Sequence, residues 1–172
     1  GKVPVLVDDD FAIWDTLAIA EYLAEKFPAC HLWPQDAKAR ARARSVSAEM
    51  HSGFQNLRSA CGMNIEADLR HVGALVWRDK PGVRADVARI VEMWSELLDT
   101  HKGPMLFGAF SVADAMFAPV VMRLTRFGLP VPPQIEAYMQ RVQALPGVAA
   151  WIEQALQEKD FLDFEEPYRL KP

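Results

Sequence analysis

The stretch FGAFSVADAMFAPVVMRLTRFG, residues 107–128, constrains the fold of this chain more than any other. From Ala115 to Met122 it carries no charged or polar side chain, so a helix here is apolar on nearly all sides and has to be central, enclosed by other elements. The run is bounded by Asp114 and Arg123 and is far too short to cross a bilayer. Ser111 and Asp114 form the S-x-x-D pair of a capping box, which marks where the helix starts. Pro119 has no amide proton for the carbonyl of Ala115, so a bend is expected there.

Partner helices are readable on both sides. Asp36 can cap a long helix whose buried stripe is Ala39, Ala43, Val46, Met50, Phe54 and Leu57, ending before Gly62. Residues 62–80 show no clear period. Pro81 suits a first helical turn, and Val83, Val87, Ile90, Trp94 and Leu97 repeat at four-three-four-three spacing until His101, Lys102 and Gly103 close the helix. Two short helices are expected at 134–144 and 148–157, split by Pro146-Gly147, followed by an irregular tail, FLDFEEPYRLKP.

The first residues read differently. Val3, Val5 and Val7 alternate as in a half-buried strand, three aspartates make a turn, and Phe11 to Trp14 return as a second strand. Thr16 to Phe27 then carries Leu17, Ala20, Leu23, Ala24 and Phe27 on one helical stripe, and Pro28 ends it. A lone hairpin is marginal in water, so we expect further structure upstream of residue 1. The fold class is therefore mostly α: an α/β piece of hairpin plus helix at residues 1–28, a linker at 29–35, and an all-helical domain at 36–172.

Composition removes several function classes. A net charge of -4 and a sequence pI near 5.6 provide no positive field for a phosphate backbone, so nucleic acid is not expected as a partner. Arg40 and Arg44 share a helix face, read as a solvated one, with Arg42 swung away. Cys30 and Cys61 have no paired spacing, and the four histidines are scattered, so neither a disulfide framework nor a metal site is indicated. A reducing, cytoplasmic compartment and no membrane partner fit these features best. Cys61 has no identifiable base in the sequence beside it and reads as an inert thiol.

Chemistry concentrates where the second strand hands over to the first helix. The amides of a first helical turn, at the positive end of the dipole, attract an anion, and the Thr16 hydroxyl adds a donor. Asp15 suits an ammonium group. Val3-Pro4 favours a cis bond, whose penalty is only about 0.5 to 1 kcal/mol, and such a bond turns the Val3 amide and carbonyl outward. Together these groups describe a pocket for an α-amino acid head group with a peptide backbone beside it. The same residues also read as a plain helix N-cap.

The order VP, WDTLAIAEYL and SVADA resembles the cytosolic glutathione transferases of bacterial type along the whole chain. The resemblance implies an incomplete thioredoxin-like domain followed by the family's all-helical C-terminal domain. It places Val3, beside Pro4, on the cysteinyl part of glutathione and Asp15 and Thr16 on its γ-glutamyl end. The segment SGFQNLR resembles the zeta class, the maleylacetoacetate isomerases, and adds Gln55 to the glutathione contacts; a surface glutamine without a role is the alternative. Ser111 and Asp114 match the family's capping box, a folding signal.

By the same resemblance glutathione is a substrate, no metal is needed, and the protein is a homodimer. Its activity would be thiol activation for attack on a small hydrophobic electrophile, with Met50, Phe54 and Trp77 as a wall for that acceptor or as ordinary core. The residue that activates the thiol is expected in the upstream segment, and no catalytic residue is assigned. Isomerisation of the zeta type and a non-catalytic binding or dimerisation module are the alternatives.

Overall fold

The computed structural model describes residues 3–158 and 168. In chain order it holds strands β1 (Val5–Asp8) and β2 (Phe11–Trp14), helix α1 (Thr16–Lys26), and a 3-10 turn at Pro28–Cys30. Then come α2 (Ala37–Ser52), α3 (Gln55–Ala60), α4 (Arg70–Asp79), α5 (Pro81–His101), α6 (Val112–Phe127), α7 (Pro133–Gln143) and α8 (Pro146–Gln157). The expected tail lies outside the described residues apart from Tyr168. Among the described residues no helix is long and apolar enough to cross a membrane.

The apolar run does form the central helix. α6 buries residues around its circumference, including Met116, Phe117, Val120, Val121 and Leu124, and packs against α2, α4 and α7. It continues unbroken through Pro119. Trp94 of α5 meets Phe117 of α6 and Tyr138 of α7 edge to face, at 5.3 and 5.0 Å between ring centroids, which locks three helices around one indole. Gly73 lets α4 cross α6 closely, because a Cβ there would sit 1.7 Å from the Phe127 carbonyl oxygen.

The start of α6 is organised by one buried carboxylate. Asp114 Oδ1 accepts from the Leu106 amide and the Tyr138 hydroxyl, both at 3.1 Å. Its Oδ2 accepts from the Ser111 amide at 2.9 Å and the Ser111 hydroxyl at 3.3 Å. Burial pushes this carboxyl above its ordinary value, while those four donors pull it back. The capping box thus also ties the 102–111 loop and α7 to the central helix.

Five residues of the α5 stripe, Val83, Val87, Ile90, Trp94 and Leu97, are all buried. The expected single helix from Asp36 to Gly62 is two. Asp36 caps α2 by accepting from the Ala39 amide at 2.8 Å, but the chain breaks at Gly53 and Phe54, the latter left-handed with φ 58°. The broken turn is repaired from a distance: Asp86 of α5 accepts from the Leu57 amide at 2.8 Å. Helical spacing could not show this, since Met50 before the break and Leu57 after it are both buried. Residues 70–79 of the unassigned stretch form α4.

The hairpin reverses one expectation. Val3, Val5 and Val7 are exposed, and Leu6 and Asp8 take the half-buried positions. Trp14, paired with Val5, and Ala12, paired with Val7, are exposed as well, so the face of the two-stranded sheet that carries Val5 and Val7 is covered by none of the described residues. Asp8 instead holds the hairpin to α1 through the Tyr22 hydroxyl and Lys26.

Cys61, at the end of α3, is fully buried, and its thiol is pushed up to about 12 by desolvation, with Arg123 pulling weakly the other way. Cys30 is exposed. An aromatic disulfide reagent at pH 8 should therefore label one thiol quickly and the second only after unfolding; two fast thiols would contradict this burial. For the cap, Ser111→Ala should lower unfolding free energy by about 1 kcal/mol. Asp114→Ala strands two amides and two hydroxyls in the interior and should cost about 3 kcal/mol or more. Urea unfolding of both variants checks the order, and equal losses would assign the network no more than a simple cap.

Candidate functional site

Strand register places three of the candidate residues, Val3, Asp15 and Thr16, at one corner. Val5 pairs with Trp14 at the end of the antiparallel ladder, so Val3-Pro4 leaves the sheet beside Asp15-Thr16. The Val3-Pro4 bond is cis. Asp15 has φ 75° and ψ 129°, a conformation that costs a non-glycine residue on the order of 1 to 3 kcal/mol and that clusters at ligand sites.

That backbone turn directs the Asp15 carboxylate onto its own helix. Oδ1 accepts from the amides of Leu17 at 2.9 Å and Ala18 at 3.4 Å. The N-cap reading of Asp15 is therefore correct, and the expected set of free first-turn amides is smaller than supposed, since Asp15 itself occupies two of them. Those two amides, and after them His51, hold the carboxyl below its ordinary value, so it is anionic at neutral pH. The half-exposed Thr16 hydroxyl makes no hydrogen bond to another described residue.

The second oxygen reaches across the fold. His51 Nε2, in the last turn of α2, lies 3.0 Å from Asp15 Oδ2, with both side chains partly solvent-exposed. Sequence reading did not single out His51: it carries no motif, and its partner is 36 residues away. Its one available signal is its position four residues before Gln55. Gln55 opens α3 and is exposed, its Nε2 donating to the Ser52 carbonyl at 3.3 Å. It lines a cleft of about 590 Å³ with Asn56, Ser59, Lys80, Pro81 and Tyr168.

The arginine face of α2 is more than a solvated surface. Arg44 pairs with Glu21 of α1 through Nε at 2.8 Å and Nη2 at 2.6 Å, and its guanidinium lies over the Trp33 ring at 5.8 Å. Arg40 donates to the Pro34 and Gln35 carbonyls of the linker. Two polar ties, Arg44 to Glu21 and His51 to Asp15, thus register α2 against α1.

Met50 and Phe54 are buried in the core and Trp77 packs against it partly buried. None of the three lines the 590 Å³ cleft or a second, apolar cleft of about 410 Å³ between Phe110, Ala115, Ala118, Leu145, Val148 and Trp151. Among the described residues no three His, Cys, Asp or Glu side chains gather as a metal site would.

With this geometry in place, the relatives are informative. The family model for the glutathione S-transferase N-terminal domain matches residues 1–25, and that for the C-terminal domain matches residues 35–154. Glutathione S-transferase 1 of Dianthus caryophyllus is 34% identical over 132 residues, covering 75% of this chain and 58% of the relative. A probable maleylacetoacetate isomerase of Caenorhabditis elegans is 32% identical over 139 residues, covering 77% and 60%. The chain spans about three fifths of the length of these relatives. A glutathione transferase homolog from Burkholderia gl BGR1, solved with bound glutathione, superposes with a TM-score of 0.68 at 29% identity, covering 91% of this chain and 74% of that one. A cis Val3-Pro4 bond beside a strained acidic cap, a central capped helix and matching models over both segments lead to one conclusion: the chain belongs to the glutathione S-transferase family.

Proposed function

We propose that this chain is part of a glutathione transferase that binds glutathione at the β2–α1 corner and presents its thiol to a small hydrophobic electrophile. The observation that carries the reading is the strained Asp15, anionic and directly beside the cis Val3-Pro4 bond and the free Thr16 hydroxyl. Asp15 takes the ammonium of the γ-glutamyl group, Thr16 its carboxylate, and the Val3 backbone the cysteinyl amide and carbonyl. Gln55 adds a donor from α3. Residues 1–28 form the glutathione-binding part, 29–35 the linker and 36–172 the helical domain against which the acceptor lies, with Met50, Phe54 and Trp77 contributing behind its surface.

A free thiol with a pKa of about 8.5 is mostly protonated at neutral pH, so a donor to sulfur is needed to favour the thiolate. None of the described residues is assigned that role. The thiolate forms a sulfur–carbon bond with the electrophile, whose leaving group departs with the bonding pair. The protein works as a cytoplasmic homodimer. A second reading, isomerisation with glutathione returned unchanged, is favoured by the placement of Gln55 at the start of α3 and by similarity to the relative named as a probable maleylacetoacetate isomerase.

Asp15→Asn retains a capping oxygen but removes the charge, and Thr16→Ala removes the hydroxyl. Each should weaken glutathione binding about tenfold, the worth of one hydrogen bond to a charged group, and leave helical unfolding unchanged. Unaltered affinity in titration calorimetry would place the site elsewhere. Consumption of glutathione with a chlorinated aromatic supports conjugation, whereas product formation at constant glutathione supports isomerisation.

A further inference from the structure

His51 sits in the last turn of α2, immediately before the break at Gly53 and Phe54 that starts α3. Its Nε2 lies 3.0 Å from Asp15 Oδ2, the one carboxylate oxygen that the α1 amides leave open. Gln55 follows four residues later on the far side of the break, anchored to the Ser52 carbonyl at 3.3 Å. The two halves of the proposed site therefore belong to separate parts of the fold, Asp15 and Thr16 to the hairpin–α1 unit and Gln55 to the α2–α3 corner.

Little apolar burial joins those parts. Ala20 is the sole buried residue of α1, Leu17 and Ala24 pack against the core only partly buried, and Phe27 at its end is 48% exposed. The polar ties have to hold the register instead. Arg44 to Glu21 lies nearly two helical turns before His51, at the other end of the α2 surface that faces α1. A single tie leaves α1 free to pivot about it, and the second, at the ligand end, removes that freedom.

We propose that His51 is a positioning residue of the glutathione site, fixing the distance between the Asp15 carboxylate and Gln55 by holding Asp15 Oδ2 from the end of α2. The inference rests on the reading of Asp15 as the group that recognises the γ-glutamyl amine. His51 does not touch the ligand in this account. It restricts where the Asp15 carboxylate can lie relative to the α3 corner, so that a γ-glutamyl group bridging the two finds both ends at the required spacing, and less of the binding free energy is lost in ordering the site.

Titration calorimetry of glutathione on the protein, His51→Ala, His51→Gln, Asp15→Ala and the two double variants tests this, with circular dichroism confirming the fold of each. His51→Ala should weaken glutathione about fivefold in the native background and less than about twofold beside Asp15→Ala, the non-additivity expected of groups in contact. His51→Gln, which retains a donor for Oδ2, should stay within about twofold of the native protein. Glutathione affinity lost on Asp15→Ala but unchanged on His51→Ala would overturn the role of His51 and leave the glutathione site standing. Additive losses, or no rescue by glutamine, would likewise show that His51 does not act through Asp15. If the native protein binds no glutathione at millimolar concentration, the proposed site and this inference both fail.

Discussion

The helical part of this protein depends on the buried carboxylate of Asp114. An apolar helix in the middle of a bundle still has unpaired amides at its first turn, and no water reaches them there. Asp114 satisfies the Ser111 amide and the Leu106 amide of the preceding loop, and it accepts from Tyr138, whose ring stands edge-on against Trp94. One side chain thereby joins a helix start, a loop and a neighbouring helix, and the aromatic contact extends the connection to α5. Burial raises its proton affinity, so the four donors have to hold the charge in place, which makes the network sensitive to loss of any member.

Attachment of the hairpin–α1 unit follows a different physical logic. That unit contributes little to the core and is registered on α2 mainly by charged and polar pairs at the surface. Such pairs are individually weak, with exposed examples worth roughly 0 to 1 kcal/mol, but two of them set an orientation that one cannot. The strained Asp15 lies where these constraints converge: its backbone is held by the β2–α1 corner, one oxygen by the α1 amides and the other by His51. A position so determined from several directions can carry a conformation that isolated chain would avoid.

Reading from residues alone recovered those features whose cause is local or periodic. The α5 stripe is buried at all five expected positions, Asp36 and Ser111 start helices as caps, and Pro81 opens α5. The motif order VP, WDTLAIAEYL and SVADA led to the family, and the cis bond and the acidic cap were legible in Val3-Pro4 and Asp15-Thr16 themselves. The break at Phe54 was missed because α2 and α3 continue the same apolar stripe, and what pays for the interruption is Asp86, from another helix. The valines of β1 were misassigned as the buried set because alternation specifies two faces but not which one is covered.

By itself, then, the sequence determined that a central apolar helix is capped at Ser111, that long amphipathic helices surround it, and that a proline, an acid and a hydroxyl group at the first strand and helix. Tertiary structure alone decided that the second oxygen of Asp15 is shared with His51, that Arg44 reaches Glu21, and that the chain breaks at Phe54 with Asp86 taking the Leu57 amide. The division has a physical reason. Capping and periodic burial depend on neighbours within a few residues, whereas a carboxylate's second partner depends on which distant helix packs beside it.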